Sequence, residues 1–121
     1  MGVYCYIMDL EFKTNKLKKQ CEDPRIAQKD FGSQIGFKLT MRVNELRAAT
    51  SLKDIEVNKD VNGFHQLKGD RKDEFAVTLA QPFRLVFKVQ QQISEDGIQY
   101  NDIKFIKIEE VGDYHGKNKR K

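Results

Sequence analysis

Phe75-Ala76-Val77-Thr78-Leu79-Ala80-Gln81-Pro82-Phe83-Arg84-Leu85-Val86-Phe87-Lys88-Val89 is the stretch on which the fold turns. Phe75, Val77 and Leu79 alternate with Ala76, Thr78 and Ala80. Gln81-Pro82 interrupts the run, because proline has no N–H to give to a ladder. Phe83, Leu85, Phe87 and Val89 then alternate with Arg84, Val86, Lys88 and Gln90. A period of two sends successive side chains to opposite faces, so the stretch predicts a β-hairpin with one face buried. Downstream, Ser94-Glu95-Asp96-Gly97 marks a further turn. Ile103-Lys104-Phe105-Ile106-Lys107-Ile108 reads as another strand, apolar enough on both faces to lie centrally in a sheet.

Upstream the period changes. Val3 to Phe12 is rich in aromatic and aliphatic residues and reads as a first strand, within which Met8 is as good a natural start as Met1. Lys13 to Gln20 predicts a short helix with a lysine-rich face. Asp23-Pro24 opens a second helix: aspartate accepts from the first free amides, and proline at the first helical position gives up a donor that has no partner there. Ile26, Phe31, Ile35, Leu39, Val43 and Leu46 recur at intervals of three to five residues, predicting one apolar stripe on a helix of about 25 residues. Thr50 to Asp54 reads as a turn or a single helical turn, and Val57 to Gly63 as a polar loop. The order is strand, one or two helices, then a meander of three or four strands: an α+β single domain with helices on one face of an antiparallel-leaning sheet.

Composition narrows the function classes. The chain has 121 residues, 39% of them hydrophobic, with 22 Lys and Arg against 18 Asp and Glu. The excess of cations sits in the last six residues, where Lys117, Lys119, Arg120 and Lys121 face no acid, so residues 1–115 are neutral. Within that neutral body, residues 12–47 carry nine cations against four acids, and residues 89–115 two against six. This polarity fits docking on a phosphate surface and fits helix solubility equally. No apolar run approaches the roughly 20 residues that span a bilayer. The start lacks a basic region and a long apolar core, so a cytoplasmic protein is the expectation. Tyr6 stands where a myristoylation motif has Ser or Thr. Cys5 and Cys21 are the only cysteines, and with two distant histidines they make neither a disulfide framework nor a metal-ligand set.

Three clusters could carry chemistry. His65-Gln66-Leu67-Lys68-Gly69-Asp70-Arg71-Lys72-Asp73 puts a histidine and three cations into a turn with Gly69 and Asp70 at the bend, as a cationic site or as a solvated turn. Arg84 lies on the strand face opposite Phe83, Leu85 and Phe87, where arginines are commonly solvated. Gly112-Asp113-Tyr114-His115 follows the last strand. If its backbone is extended, Asp113 and His115 point the same way, about 6.6 Å apart, and a carboxylate beside a histidine sets that ring's orientation for acid–base work.

Together, His65-Gln66-Leu67-Lys68-Gly69-Asp70-Arg71, Phe75, Phe83-Arg84-Leu85-Val86-Phe87 and Asp113-Tyr114-His115 closely resemble the HigB type of toxin in the RelE/ParE superfamily, the "system killer" members of toxin–antitoxin pairs. The resemblance spans residues 8–115, giving a toxin domain over 1–115 and a basic tail over 116–121. It implies a fold with an N-terminal strand and two helices packed on an antiparallel meander sheet. It also implies metal-independent, cofactor-free, ribosome-dependent cleavage of mRNA, with the toxin in the decoding site.

In that reading His115 is the general acid or base, with Asp113 orienting it or sharing the role. Arg84 binds the scissile phosphate, and Lys68 adds positive charge. Arg71, Lys72 and His65 in the turn, with Lys16 and Lys19 on the first helix, contact RNA. The implied partners are the ribosome with its mRNA and a cognate helix-turn-helix, HigA-like antitoxin, which pairs with such toxins as a heterotetramer in some cases; no membrane partner is implied. Two departures stand out: Ala80 occupies a position where some relatives carry a second arginine, and the tail continues past His115. The alternatives are a non-enzymatic ParE-like inhibitor of DNA gyrase and a catalytically silent RNA-binding domain.

Overall fold

The structure is a computed structural model and describes residues 8–67, 69, 73–89, 99–100 and 103–113. The first strand is described from β1, Asp9–Phe12. Thr14 then caps helix α1, Asn15–Glu22, its hydroxyl accepting from the Leu17 amide at 3.0 Å. Asp23 closes α1 through its own N–H to the Lys19 carbonyl and opens α2, Pro24–Ala48, by accepting from the Arg25 amide at 2.9 Å. The predicted Asp23-Pro24 start is therefore where the second helix begins. Gln20 on α1 donates to Asp30 on α2 at 2.8 Å, joining the two helices.

α2 departs from the expected single rod. Gly32 has φ +89° and ψ 164°, a conformation that breaks the helical ladder and is reached at little cost only by glycine. In a straight helix residues eight apart lie about 12 Å from one another. Here a Cβ on Gly36 would stand 2.7 Å from the Gln28 Cα, so the chain doubles back at Gly32 and Gly36 meets the Ala27–Gln28 backbone directly. The apolar stripe consequently divides: Leu39, Val43 and Leu46 are fully buried, whereas Ile26, Phe31 and Ile35 are only half-buried and Ala27 is the buried contact of the first arm.

The segment after α2 holds more helix than expected. Ser51 caps α3, Leu52–Glu56, as the predicted turn. Val57 to Gly63, read as a loop, contains the one-turn helix α4, Lys59–Asn62, ended by Gly63 at φ +72°. Asn62 makes this possible without an apolar period: buried, it donates to the Ile55 carbonyl at 3.1 Å and accepts from the Phe64 amide at 2.8 Å. Such short polar helices rest on specific side-chain hydrogen bonds that hydrophobic periodicity does not reveal.

Strands β2, His65–Gln66, β3, Glu74–Thr78, β4, Phe83–Val89, and β5, Phe105–Asp113, form an antiparallel meander. The sheet as a whole is mixed, because β1 joins it parallel to β5, giving the order β1-β5-β4-β3-β2. β5 thus lies inside the sheet, as its two apolar faces predict. A bulge between Val86 and Phe87 leaves Glu109 on β5 without an opposite residue in the ladder. The predicted turn at 94–97, and the first strand before Met8, lie outside the described residues.

The helices cover one face. Leu39, Val43 and Leu46 pack with Phe75, Val77, Leu85, Phe87, Ile106 and Ile108. Phe64 stacks on Phe75 with ring centroids 5.4 Å apart, and Tyr100 meets Phe64 edge-on at 5.7 Å. The hairpin was expected to bury one face only, yet Ala76 and Val86 on the other are also buried, in a small cluster with Leu67. Arg42, buried on α2, donates to the Thr78 carbonyl at 2.8 Å, to both Glu45 carboxylate oxygens at 3.0 and 3.1 Å, and to the Val61 carbonyl at 3.4 Å. Among the described residues no helix is long and apolar enough to cross a membrane.

Burial pushes the Cys21 thiol up from 9.0 to about 12, with Glu22 adding to the rise and Arg47 opposing it. A folded chain then keeps a proton that the unfolded chain has lost, so this group's contribution to stability falls as pH rises from 9.0 towards about 12. Urea unfolding across that window should show a shallower alkaline loss in Cys21→Ala than in the parent, whatever the variant's stability at neutral pH. Parallel slopes would refute it.

Candidate functional site

Two of the three sequence clusters meet in space. Arg84 leaves β4 on the sheet face away from the helices, and across the ladder it is in register with Thr78 on β3 and Gly112 on β5. His65 on β2 is in register with Ala76 on β3, which puts it on the same outer face, one strand beyond. There Arg84 Nη1 lies 3.1 Å from His65 Nε2, across 19 residues of sequence. His65 Nδ1 in turn lies 2.9 Å from the Gly63 carbonyl oxygen.

Backbone geometry fixes the support. Gly63 adopts φ +72°, and its N–H closes α4 on the Lys59 carbonyl at 2.9 Å. A Cβ there would stand 2.2 Å from Thr78 Oγ1, so glycine is needed both for the left-handed backbone and for the close approach. On the other side of Arg84, a Cβ on Gly112 would meet nothing within 4 Å. The β5 position in register with Arg84 is therefore open where a Cβ would stand.

The remaining predicted residues are distributed as follows. The β2–β3 turn is closed by the Leu67 N–H to the Glu74 carbonyl at 2.9 Å, and Gly69 has φ +72°, the backbone expected of a bend. Lys68, Arg71 and Lys72 in that turn lie outside the described residues, as does His115. The β5 backbone is extended as far as Asp113, which holds the register position of Phe83, while Gly112 holds that of Arg84. Ala80 is half-buried in the β3–β4 turn.

Lys16 and Lys19 are exposed on α1, which packs on α2 and β1. Since β1 and β2 are opposite edges of the sheet, four strand spacings separate α1's edge from His65, about 19 Å. The structure does not bring these lysines to the Arg84–His65 pair.

A guanidinium offers planar paired donors matched to phosphate oxygens. The histidine beside it offers one ring nitrogen to the guanidinium and the other to a backbone carbonyl. The groove of about 360 Å³ lined by residues such as Glu45, Ala48, Ile55 and Val61 lies elsewhere, by the end of α2, and contains none of the predicted site residues. Among the described residues no three His, Cys, Asp or Glu side chains converge as metal ligands would. In the sequence His65 and Arg84 belong to separate clusters, and the parts played by Gly63 and Thr78 show only in the fold.

No protein-family model matches the chain, and no curated protein matches it.

Gly63→Ala should destabilise the fold by about 1–3 kcal/mol, the usual cost of a strained left-handed side chain. It should also move the His65 ring resonances, which chemical denaturation and NMR together would register. A variant as stable as the parent, with unmoved His65 signals, would show that the contact with Thr78 is not a constraint.

Proposed function

We propose that this chain is a ribosome-dependent mRNA endoribonuclease, the toxin of a toxin–antitoxin pair, held inactive by a helix-turn-helix antitoxin. The observation that carries the reading is the juxtaposition of Arg84 with His65 on the outer sheet face. The order of elements supports it as well: one strand, then helices, then the meander of β2 to β5.

Cleavage of this kind uses the RNA's own nucleophile. The 2′ oxygen loses its proton and bonds to the adjacent phosphorus, the P–O5′ bond breaks, and O5′ receives a proton. The products are a 2′,3′-cyclic phosphate and a 5′ hydroxyl. Between them lies a five-coordinate phosphorane carrying an extra negative charge, which a preplaced cation lowers in energy. Arg84 is suited to that charge. His115 would handle the protons, with Asp113, in register with Phe83 rather than with Arg84, acting only through His115, and Lys68, Arg71 and Lys72 would add positive charge from the β2–β3 turn, with the exposed Lys16 and Lys19 as a separate contact to ribosomal RNA. With Ala80 in place of a second arginine, Arg84 carries a larger share of the charge stabilisation.

The test is induced expression followed by mapping of mRNA 5′ ends, with and without translation, in the parent, Arg84→Ala and His115→Ala. The parent should arrest growth and create new ends that require translation. Arg84→Ala should lose cleavage by about 10²-fold or more, the scale of removing one transition-state donor, and His115→Ala should lose it too. Growth arrest without new ends would overturn the reading in favour of gyrase inhibition or RNA binding alone.

A further inference from the structure

The Arg84–His65–Gly63 contacts define the protonation of the histidine. A guanidinium donates and cannot accept, so at 3.1 Å from Arg84 Nη1 the His65 Nε2 must be the accepting, unprotonated nitrogen. A carbonyl accepts and cannot donate, so at 2.9 Å from the Gly63 oxygen Nδ1 must carry the hydrogen. Both contacts are satisfied together only by a neutral ring protonated at Nδ1, the tautomer opposite to the one favoured in an unconstrained histidine. A doubly protonated ring would turn N–H towards N–H and cation towards cation.

The carbonyl that sets the ring is itself fixed. Gly63 is held by its N–H to the Lys59 oxygen and by the Thr78 side chain packed where a Cβ would stand. Thr78 is the register partner of Arg84, and its own carbonyl is held by the buried Arg42. The contacts therefore form a closed circuit, Thr78 to Gly63 to His65 to Arg84 and back across the β3–β4 ladder. A long side chain carries several rotatable bonds, and orienting it in advance removes an entropy cost from binding and catalysis.

We propose that His65 is a positioning residue: its neutral, Nδ1-protonated ring, anchored on the Gly63 carbonyl, orients the Arg84 guanidinium on the outer face of the sheet. This rests on the reading of Arg84 as the phosphate-binding cation, and it assigns His65 a role other than proton transfer, since the lone pair a base would use is occupied by Arg84.

The experiment has two arms. In the full-length, ¹⁵N-labelled chain, long-range proton–nitrogen correlation reads the His65 tautomer directly. Nδ1–H is expected in the parent, with a shift towards Nε2–H in Arg84→Ala. Nε2–H in the folded parent overturns the proposal whether or not the chain cleaves RNA, which separates this failure from failure of the functional reading. The second arm compares cleavage by His65→Gln and His65→Ala on translating ribosomes. The glutamine carbonyl can accept from Arg84 where Nε2 did but cannot carry a proton near neutral pH. His65→Gln should keep most of the parent's cleavage, while His65→Ala should fall by about 10²-fold, the scale of a misplaced catalytic group. A folded His65→Gln as inactive as His65→Ala would make His65 the base and overturn the proposal.

Discussion

The buried guanidinium of Arg42 ties together the parts on which the candidate site depends. Taking a charge of this kind out of water costs several kcal/mol unless its donors are met. Here they are met by the Glu45 carboxylate, the Thr78 carbonyl and the Val61 carbonyl. The geometry joins the second arm of α2 to the end of β3 and to α4 at a single point. Thr78 is the pivot: its carbonyl belongs to Arg42, its side chain abuts Gly63, and its ladder partner is Arg84. A charge buried on the helical side thus fixes residues of the candidate site on the opposite side of the sheet.

The division of labour between the two faces follows from the pattern of the strands. The face under the helices is filled by the Phe64–Phe75–Phe87 stack and by the aliphatic residues of β3 to β5. With the core concentrated there, the other face buries, among the described residues, the small cluster of Leu67, Ala76 and Val86. Polar residues can occupy it without disturbing packing, and β4 presents Arg84 from a rigid interior strand. Sites carried on strands are held more firmly than sites carried on loops.

Much of this was legible in the sequence where the physics is local. The period of two on either side of Gln81-Pro82 predicted β3 and β4, and Asp23-Pro24 predicted the start of α2. The two apolar faces of Ile103 to Ile108 predicted an interior strand. What escaped depends on contacts between distant segments. Nothing in Asp9–Phe12 specifies parallel pairing with β5. The bend at Gly32 leaves an apolar spacing close to that of a straight helix, so the stripe does not betray the break. α4 rests on both ends of the Asn62 amide rather than on an apolar face. For the site, Arg84 and the turn after His65 were recognisable separately, but their meeting depends on the register of β2 against β3, which a single chain does not display.

In the proposed function the outer sheet face cuts mRNA through the RNA's own 2′ oxygen. The most direct test is to add the purified chain to a defined translation reaction and determine the chemistry of the mRNA ends. The expected result is 2′,3′-cyclic phosphate and 5′-hydroxyl termini that appear only when ribosomes are translating that mRNA. Intact mRNA on translating ribosomes, from a folded chain that still arrests growth in cells, would contradict it.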